Sequence, residues 1–456
     1  MVVNEDVPQG ASSGLPGRAS SYASWGRYPQ TLQRIETVSW RDQLLRPGVL
    51  TPGALPYGRG RSYGDVCLNG EGKLLDLSGL ERVVFFDPQR GVLRAEGGIT
   101  LRRILEIIVP RGWFLPVTPG TSLVTLGGAI ANDVHGKNHH RAGTFGRHVL
   151  GIELLRPEGL LNISPSSDAE LFNATIGGIG LTGIILSATI QLIPISTAGI
   201  IGESIKFESL DEFFSISSES DKGFEYTVAW LDCLWSGGFR GHFMRGNHRT
   251  ERAGQDAQPW SPRWELAGVP VNVPSRFVKS FGMKCFNFAY YNKQRARVTQ
   301  IDQSFEPFFY PLDVVGGWNK LYGAAGFFQF QCVVPHAPGE VGIRAVLELA
   351  RSSGAGSFLA VLKEFGEITS PGLLSFPRPG FTLCLDFANR GDSTVKLMRE
   401  LERVVVEHGG SLYPAKDALM SPEAFAAGFP RLNEFKRFVA AGFSSEFWRR
   451  VTKARR

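Results

Sequence analysis

The chain has 456 residues, 43% of them hydrophobic and 20% charged, with 54 glycines, a net charge of +6 and a pI of about 9.1. That length exceeds one ordinary core and predicts two or three domains, and the composition is that of a globular protein, not a disordered or fibrous one. No run of 18 apolar residues offers a membrane-spanning helix, Glu5 and Asp6 argue against a signal peptide, and five scattered cysteines without a CxxC pair argue against a disulfide framework or a zinc site, which predicts a reducing, cytoplasmic setting.

Residues 1–28, rich in Gly, Ser and Pro, predict a flexible leader. From 29 to 196 short β-like runs alternate with glycine, and this stretch reads as one domain. Leu74–Leu77, Arg82–Phe86, Gly91–Glu96 and Gly183–Ile193 read as strands. Thr100 is placed to cap a helix running to Ile108, with Pro110-Arg111-Gly112 as its stop, and Ser166–Phe172 opens a second short helix. Pro194 and the polar residues after it close this domain, and 197–410 form the next. There, aromatic-rich strands are interrupted by a polar insert, Asn247 to Pro274, that reads as a loop or lid. Glu340–Ser353 and Ser393–His408 are amphipathic helices, the latter ended by Gly409-Gly410, and Phe358–Lys363 and Phe381–Phe387 are strands. Residues 411–456 are expected to return to the first domain, and their Phe447-Trp448-Arg449-Arg450 end reads as a solvated basic tail or a contact for anionic lipid headgroups. Strands and helices without regular βαβα alternation predict an α+β class.

Three glycine clusters carry chemistry. Gly58-Arg59-Gly60-Arg61-Ser62-Tyr63-Gly64-Asp65 allows successive backbone N–H groups to face one concavity, a nest for phosphate oxygens, with Ser62 and the arginines adding donors and charge. It is not the dinucleotide fingerprint, because Asn69-Gly70-Glu71-Gly72 follows where a helix would be needed. Pro119-Gly120-Thr121 leads into Gly127-Gly128-Ala129-Ile130-Ala131-Asn132-Asp133-Val134-His135-Gly136-Lys137-Asn138, small residues that let backbone approach something flat or phosphorylated. His135, Lys137, His139 and His140 lie close together there, but without an acidic or cysteine partner at ligand spacing they do not read as a metal site. The third cluster, Gly177-Gly178-Ile179-Gly180-Leu181-Thr182-Gly183, feeds into an apolar strand.

Taken in order, these clusters resemble the FAD-binding domain of the vanillyl-alcohol oxidase / p-cresol methylhydroxylase (PCMH-type) flavoenzymes: a glycine-rich pyrophosphate loop, a PGT…GGAIA…HG segment along the flavin, and a GGxG element before a strand. Further motifs, among them Ala229-Trp230-Leu231-Asp232-Cys233, Pro311-Leu312-Asp313, Gly317-Trp318-Asn319, Cys384-Leu385-Asp386-Phe387 and Ala415-Lys416-Asp417, resemble the branch of that superfamily that oxidises polyprenyl-phosphoryl pentoses, over about residues 35 to 440. The resemblance implies a two-domain PCMH-type fold with an antiparallel-sheet substrate (cap) domain. It implies FAD bound by Arg59, Gly60, Arg61, Ser62, Tyr63, Gly64, Pro119, Gly120, Thr121, Gly127, Gly128, Ala129, Asn132, His135, Gly136, Asn138, Ile184 and Lys416. Family members with covalent FAD carry a histidine where Arg61 stands, so non-covalent FAD is implied. Trp230, Gln329, Gln331, Lys363 and Cys384 match substrate positions, and Lys416 and His135 match positions beside flavin and sugar, the base or hydrogen-bonding partner. Two departures, at Phe309-Tyr310 and at Thr382, fall in the substrate region.

The activity implied is oxidation of a secondary hydroxyl of a sugar, the 2′-hydroxyl of a polyprenyl-phosphoryl pentose, by hydride transfer to flavin N5, in cell-wall biosynthesis, with a lipid-linked or free sugar as substrate, a keto-sugar reductase as partner and peripheral association with a membrane. Two alternatives stand beside it: an alditol or aldonolactone oxidase of the same superfamily, and a non-catalytic basic binding module. The second lacks a clustered basic helix or a nucleic-acid module, and no nucleic-acid partner is expected.

Overall fold

A computed structural model describes residues 22–46, 48–50, 53–250, 260–261, 267–268, 280–313, 315–357 and 359–453. The fold is of the α+β class. A small parallel sheet joins β1 (Ile35–Thr37), β2 (Ala54–Tyr57) and β3 (Lys73–Asp76) in the order β1-β3-β2. An antiparallel sheet follows, made of β4 (Val83–Asp87), β5 (Val92–Glu96), β6 (Val149–Arg156), β7 (Gly159–Ile163) and β8 (Ile184–Gln191), ordered β4-β5-β8-β6-β7.

The helix Leu101–Ile108 packs on this sheet. The Thr100 side chain accepts from the Arg103 N–H, and Leu101, Ile104, Leu105 and Ile108 are buried at helical spacing, as expected. The turn Val109–Arg111 and left-handed Gly112 (φ +80°) end it. The helix expected from Ser166 begins at Ala169 instead, because Ser164 and Ser167 pair across a tight turn and Asp168 takes a left-handed conformation.

The rest of the chain builds a wholly antiparallel eight-stranded sheet. Its strands are β9 (Gly199–Phe207), β10 (Tyr226–Asp232), β11 (Arg240–His248), β12 (Val298–Ser304), β13 (Phe327–Val334), β14 (Ala360–Phe365), β15 (Gly380–Ala388) and β16 (Ser411–Leu412), in the order β12-β9-β11-β10-β14-β15-β13-β16. Alternation sorts the residues. Phe328, Phe330 and Cys332 of β13, Ala360 and Leu362 of β14, and Leu383, Leu385 and Phe387 of β15 join one core with the helices Leu210–Ser220, His336–Ser352 and Asp392–Glu407. The side chains between them in sequence point to the other face. The helix expected at Glu340 starts at His336, and Pro338 is accommodated because it lies in the first turn.

Two expectations about the ends are corrected. Residues 22–28, assigned above to a flexible leader, are held by backbone hydrogen bonds from Trp25 to Ser62 and from Gly26 to Tyr63. The Phe447–Arg450 segment is not a solvated tail. It belongs to the helix Glu446–Thr452, where Phe447 is fully buried and Arg450 bonds to Asp65 at 2.7 and 2.8 Å and to Asp417 at 2.9 Å. Most of the insert from Asn247 to Pro274 lies outside the described residues.

Candidate active site

The free face of the eight-stranded sheet looks onto the glycine clusters across a cavity of about 860 Å³. Cross-strand register sets that wall. Trp230 pairs with Val361, Val361 with Cys384 and Cys384 with Gln331, so one row crosses β10, β14, β15 and β13. Gln329 pairs with Asp386 in a parallel row, and Lys363 with Thr382 in another. Trp230, Val361, Cys384, Gln331, Gln329 and Lys363 all line the cavity.

The opposite wall is the glycine backbone. Arg59, Gly60, Arg61, Ser62, Tyr63, Pro119, Gly120, Thr121, Gly127, Gly128, Asn132, His135 and Gly136 line it, and Lys416 closes one end. Four residues of the implied cofactor set do not face the cavity. Gly64 packs on the backbone of Asp417, where a Cβ would fall 1.8 Å from the carbonyl oxygen. Ala129 points into the core behind the short helix Leu126–Ala131. Asn138 is buried and donates to the Pro116 carbonyl at 2.9 Å, fixing the loop. Ile184 lies on the opposite side of its strand from Ile185, and it is Ile185 that reaches the cavity. Of the two departures, Phe309 lines the cavity, whereas Tyr310 is fully buried with its hydroxyl on Thr118, and Thr382 sits beneath Gln331.

The residues present fit a flavin dinucleotide. A Cβ at Gly120 would meet nothing within 4 Å, and one at Gly128 only Thr125 Oγ1 at 3.0 Å, so both glycines leave space toward the cavity. Arg61 Nε and Asn132 Oδ1 are buried without a hydrogen-bond partner among the described residues, a donor and an acceptor left for a ligand. Asp313 secures this wall to the cap by accepting from Thr121 Oγ1 and Ser122 Oγ at 2.6 Å and from the Ser122 N–H at 2.7 Å.

Six ionisable groups, His135, Lys363, Lys137, Lys416, Asp386 and His139, gather at the junction of the walls. Burial, reinforced by the Lys363 ammonium, holds His135 well below the ordinary histidine range, so its imidazole is neutral. Lys363 Nζ lies 3.2 Å from its Nδ1 and donates to the Gly136 carbonyl at 3.0 Å; Gln331 lies 2.9 Å from its Nε2. A neutral imidazole cannot accept at both nitrogens. With Nδ1 accepting from the ammonium, Nε2–H must donate, and the Gln331 amide turns its oxygen toward it while accepting from Thr382. Burial lowers Lys363 to about 8 and Lys137 to about 7. Lys416, 3.9 Å above the Tyr63 ring, is lowered by burial and partly restored by Cys384 and Asp386. Asp386 is raised to about 6 by burial, against the Gln329 hydrogen bond at 2.5 Å and the nearby Lys416. His139 is neutral too, pushed down to about 3 by burial, with its ring 4.6 Å from that of Phe365.

Sequence reasoning missed several wall residues as site residues. Lys137, Asp313 and Trp318 lay within motifs already singled out, and only their direction was illegible. Trp25 gave no signal, being surrounded by leader-like composition. All five cysteines are free, with Cys67 and Cys384 on the cavity wall. Among the described residues no helix is long and apolar enough to cross a membrane.

Comparison with known proteins agrees with this geometry. Residues 54–164 match the family model described as an FAD binding domain. Over 438 residues the chain is 35% identical to the decaprenylphosphoryl-beta-D-ribose oxidase of Mycolicibacterium smegmatis, an alignment covering 93% of this chain and 94% of that protein. Shorter matches reach the D-arabinono-1,4-lactone oxidase of Candida glabrata, 24% identical over 48% of this chain and 42% of that protein, and the L-gulonolactone oxidase of Mus musculus, 29% identical over 30% and 31%.

Proposed function

We propose, since this chain belongs to the FAD-dependent oxidoreductase family of decaprenylphosphoryl-beta-D-ribose oxidase, that it oxidises the 2′-hydroxyl of a polyprenyl-phosphoryl pentose to a ketone. The observation that carries the reading is the junction of Lys416, Lys363, His135 and Gln331 at the meeting of the glycine wall and the sheet wall. Bound FAD supplies the hydride acceptor, its N5. Lys416, its ammonium destabilised by burial, takes the hydroxyl proton in its neutral form. His135 has its lone pair engaged by Lys363 and its N–H directed to Gln331, so it holds those two side chains in place for the sugar. Lys363, charged below about pH 8, offers an ammonium to the phosphate, and Lys137 adds a second that weakens above about pH 7. Arg61, Ser62 and the glycine backbone, which line the cavity, would hold the cofactor diphosphate, and with arginine at position 61 the FAD would be bound non-covalently. Trp230 and Phe309, both on the cavity wall, would offer apolar surface to a lipid carrier. A keto-sugar reductase would consume the product.

The matches to lactone oxidases support a second reading, oxidation of a free alditol or aldonolactone. The non-catalytic binding module lapses with the family. Anaerobic mixing of the holoenzyme with each substrate class separates the two readings. Bleaching of the flavin absorbance by a lipid-linked pentose phosphate, with no bleaching by free alditols or lactones, is the expected result. Faster bleaching by the free sugars would overturn it.

A further inference from the structure

Residues 22–28 thread between the two walls of the cleft. On one side the Trp25 N–H donates to the Ser62 carbonyl at 2.8 Å and the Gly26 N–H to the Tyr63 carbonyl at 3.2 Å. On the other, Phe327 at the start of β13 donates to the Gly26 carbonyl at 2.9 Å, Asn319 Nδ2 to the Trp25 carbonyl at 3.2 Å, and Arg27 to the Gly323 carbonyl at 3.3 Å. The passage is a backbone slot: a Cβ on Gly26 would fall 2.5 Å from the Tyr63 carbonyl oxygen and 2.6 Å from that of Phe327. Tyr22 and Tyr28 pin the ends, through a 2.6 Å hydrogen bond to Asp76 and an edge contact with Phe328 at 4.8 Å.

Between these anchors the Trp25 ring lies 4.5 Å from the guanidinium carbon of Arg61, the arginine whose buried Nε has no partner among the described residues. Trp25 and Arg61 line the main cavity and also a second one of about 390 Å³ on its outer side. The segment is therefore a partition between the two cavities, bonded to both walls, with Tyr22 and Tyr28 set against the main core and Trp25 against the cluster of Tyr63, Tyr322 and Phe327.

We propose that residues 22–28 are a clasp that retains FAD: Trp25 braces Arg61 toward the cofactor diphosphate, and the clasp must detach from Tyr63 or Phe327 before the cofactor exchanges. The inference rests on the reading of the cleft as an FAD site. A cation–π brace lost from a partly buried arginine corresponds to FAD leaving Trp25→Ala holoenzyme about tenfold faster. Release is read from the recovery of free-flavin fluorescence with an apo-flavoprotein in excess as trap. Gly26→Val, which forces the segment out of its slot, accelerates release comparably, and Trp25→Phe gives an intermediate rate. A second readout needs no substitution: trypsin cuts the parent protein after Arg27 more slowly when FAD is bound. Release unchanged in Trp25→Ala and Gly26→Val would overturn the clasp. Should those variants fail to fold, cleavage after Arg27 that is indifferent to FAD overturns it. A parent protein that takes up no FAD removes the cofactor reading and the clasp together, whereas normal uptake with unaltered release removes the clasp alone.

Discussion

Gly128→Ala separates the needs of the fold from those of the cofactor. Gly128 sits in the first turn of the helix Leu126–Ala131, where its N–H donates to the capping Thr125 Oγ1 at 3.1 Å. Alanine in a helix gains up to about 1 kcal/mol over glycine. The new Cβ stands 3.0 Å from that same oxygen, so the cap must give by a few tenths of an ångström and part of its roughly 1 kcal/mol is lost. These terms nearly cancel, and the apoprotein should melt close to the parent temperature. The methyl group projects into the space read as the cofactor's, and one extra methyl in a packed contact costs about 1–3 kcal/mol, a roughly 5- to 150-fold weaker Kd for FAD. Fluorescence titration of apoprotein with FAD, paired with thermal melts with and without it, reads both quantities. Gly98→Ala is the contrasting control: its Cβ would land 1.9 Å from the Leu77 carbonyl oxygen, so that variant should fail to fold. An unchanged FAD affinity in a stably folded Gly128→Ala protein would refute the argument that this glycine borders the cofactor.

Lys416→Ala should keep its FAD but lose most flavin reduction by substrate in anaerobic stopped-flow; reduction at the parent rate would remove Lys416 from the chemistry. Asp386→Asn removes a carboxylate that holds the Lys416 pKa up, so the acid limb of the pH profile for flavin reduction should move to lower pH, and an unmoved limb would show that Lys416 is not the titrating base. Affinity for a phosphate-bearing substrate should be full below about pH 7 and fall as pH rises through about 8, as Lys363 loses its proton, and Lys363→Met should flatten that dependence in a binding assay. Stability carries its own sign: with its folded pKa depressed from 10.5 to about 8, Lys363 makes the fold gain stability as pH rises across that window. Melting temperatures of Lys363→Met should therefore show a smaller gain than the parent over the same range.

Much of the architecture was legible because local signals agreed with packing. The Thr100 cap, the apolar spacing from Leu101 to Ile108 and the Gly112 stop each have one structural answer, and the structure contains it. The glycine clusters announced their wall for the same reason, since side-chain-poor backbone at that density has few uses. What stayed hidden depended on direction or on distant partners. Ile184 and Ile185 are equally apolar in sequence, and only strand register decides which meets the cavity. Asn138 and Gly64 sit inside motifs yet serve the Pro116 carbonyl and the Asp417 backbone, contacts that no local pattern encodes. The neighbours' composition misleads at Trp25 and Arg450, because their partners are remote in sequence, Ser62 and Asn319 for Trp25 and Asp65 for Arg450.

The row Trp230–Val361–Cys384–Gln331 takes one residue from each of four adjacent strands, every second residue along a strand facing the cavity. Its members can be exchanged one for another over evolutionary time, reshaping the wall without disturbing the core behind it. Adding or deleting a single residue within β14 or β15 is a different matter. It would turn Lys363, Cys384 and Asp386 into the helix-covered layer and bring Leu362, Leu383 and Leu385 outward, so divergence in this wall should proceed by replacement, with changes of length confined to the connections between strands.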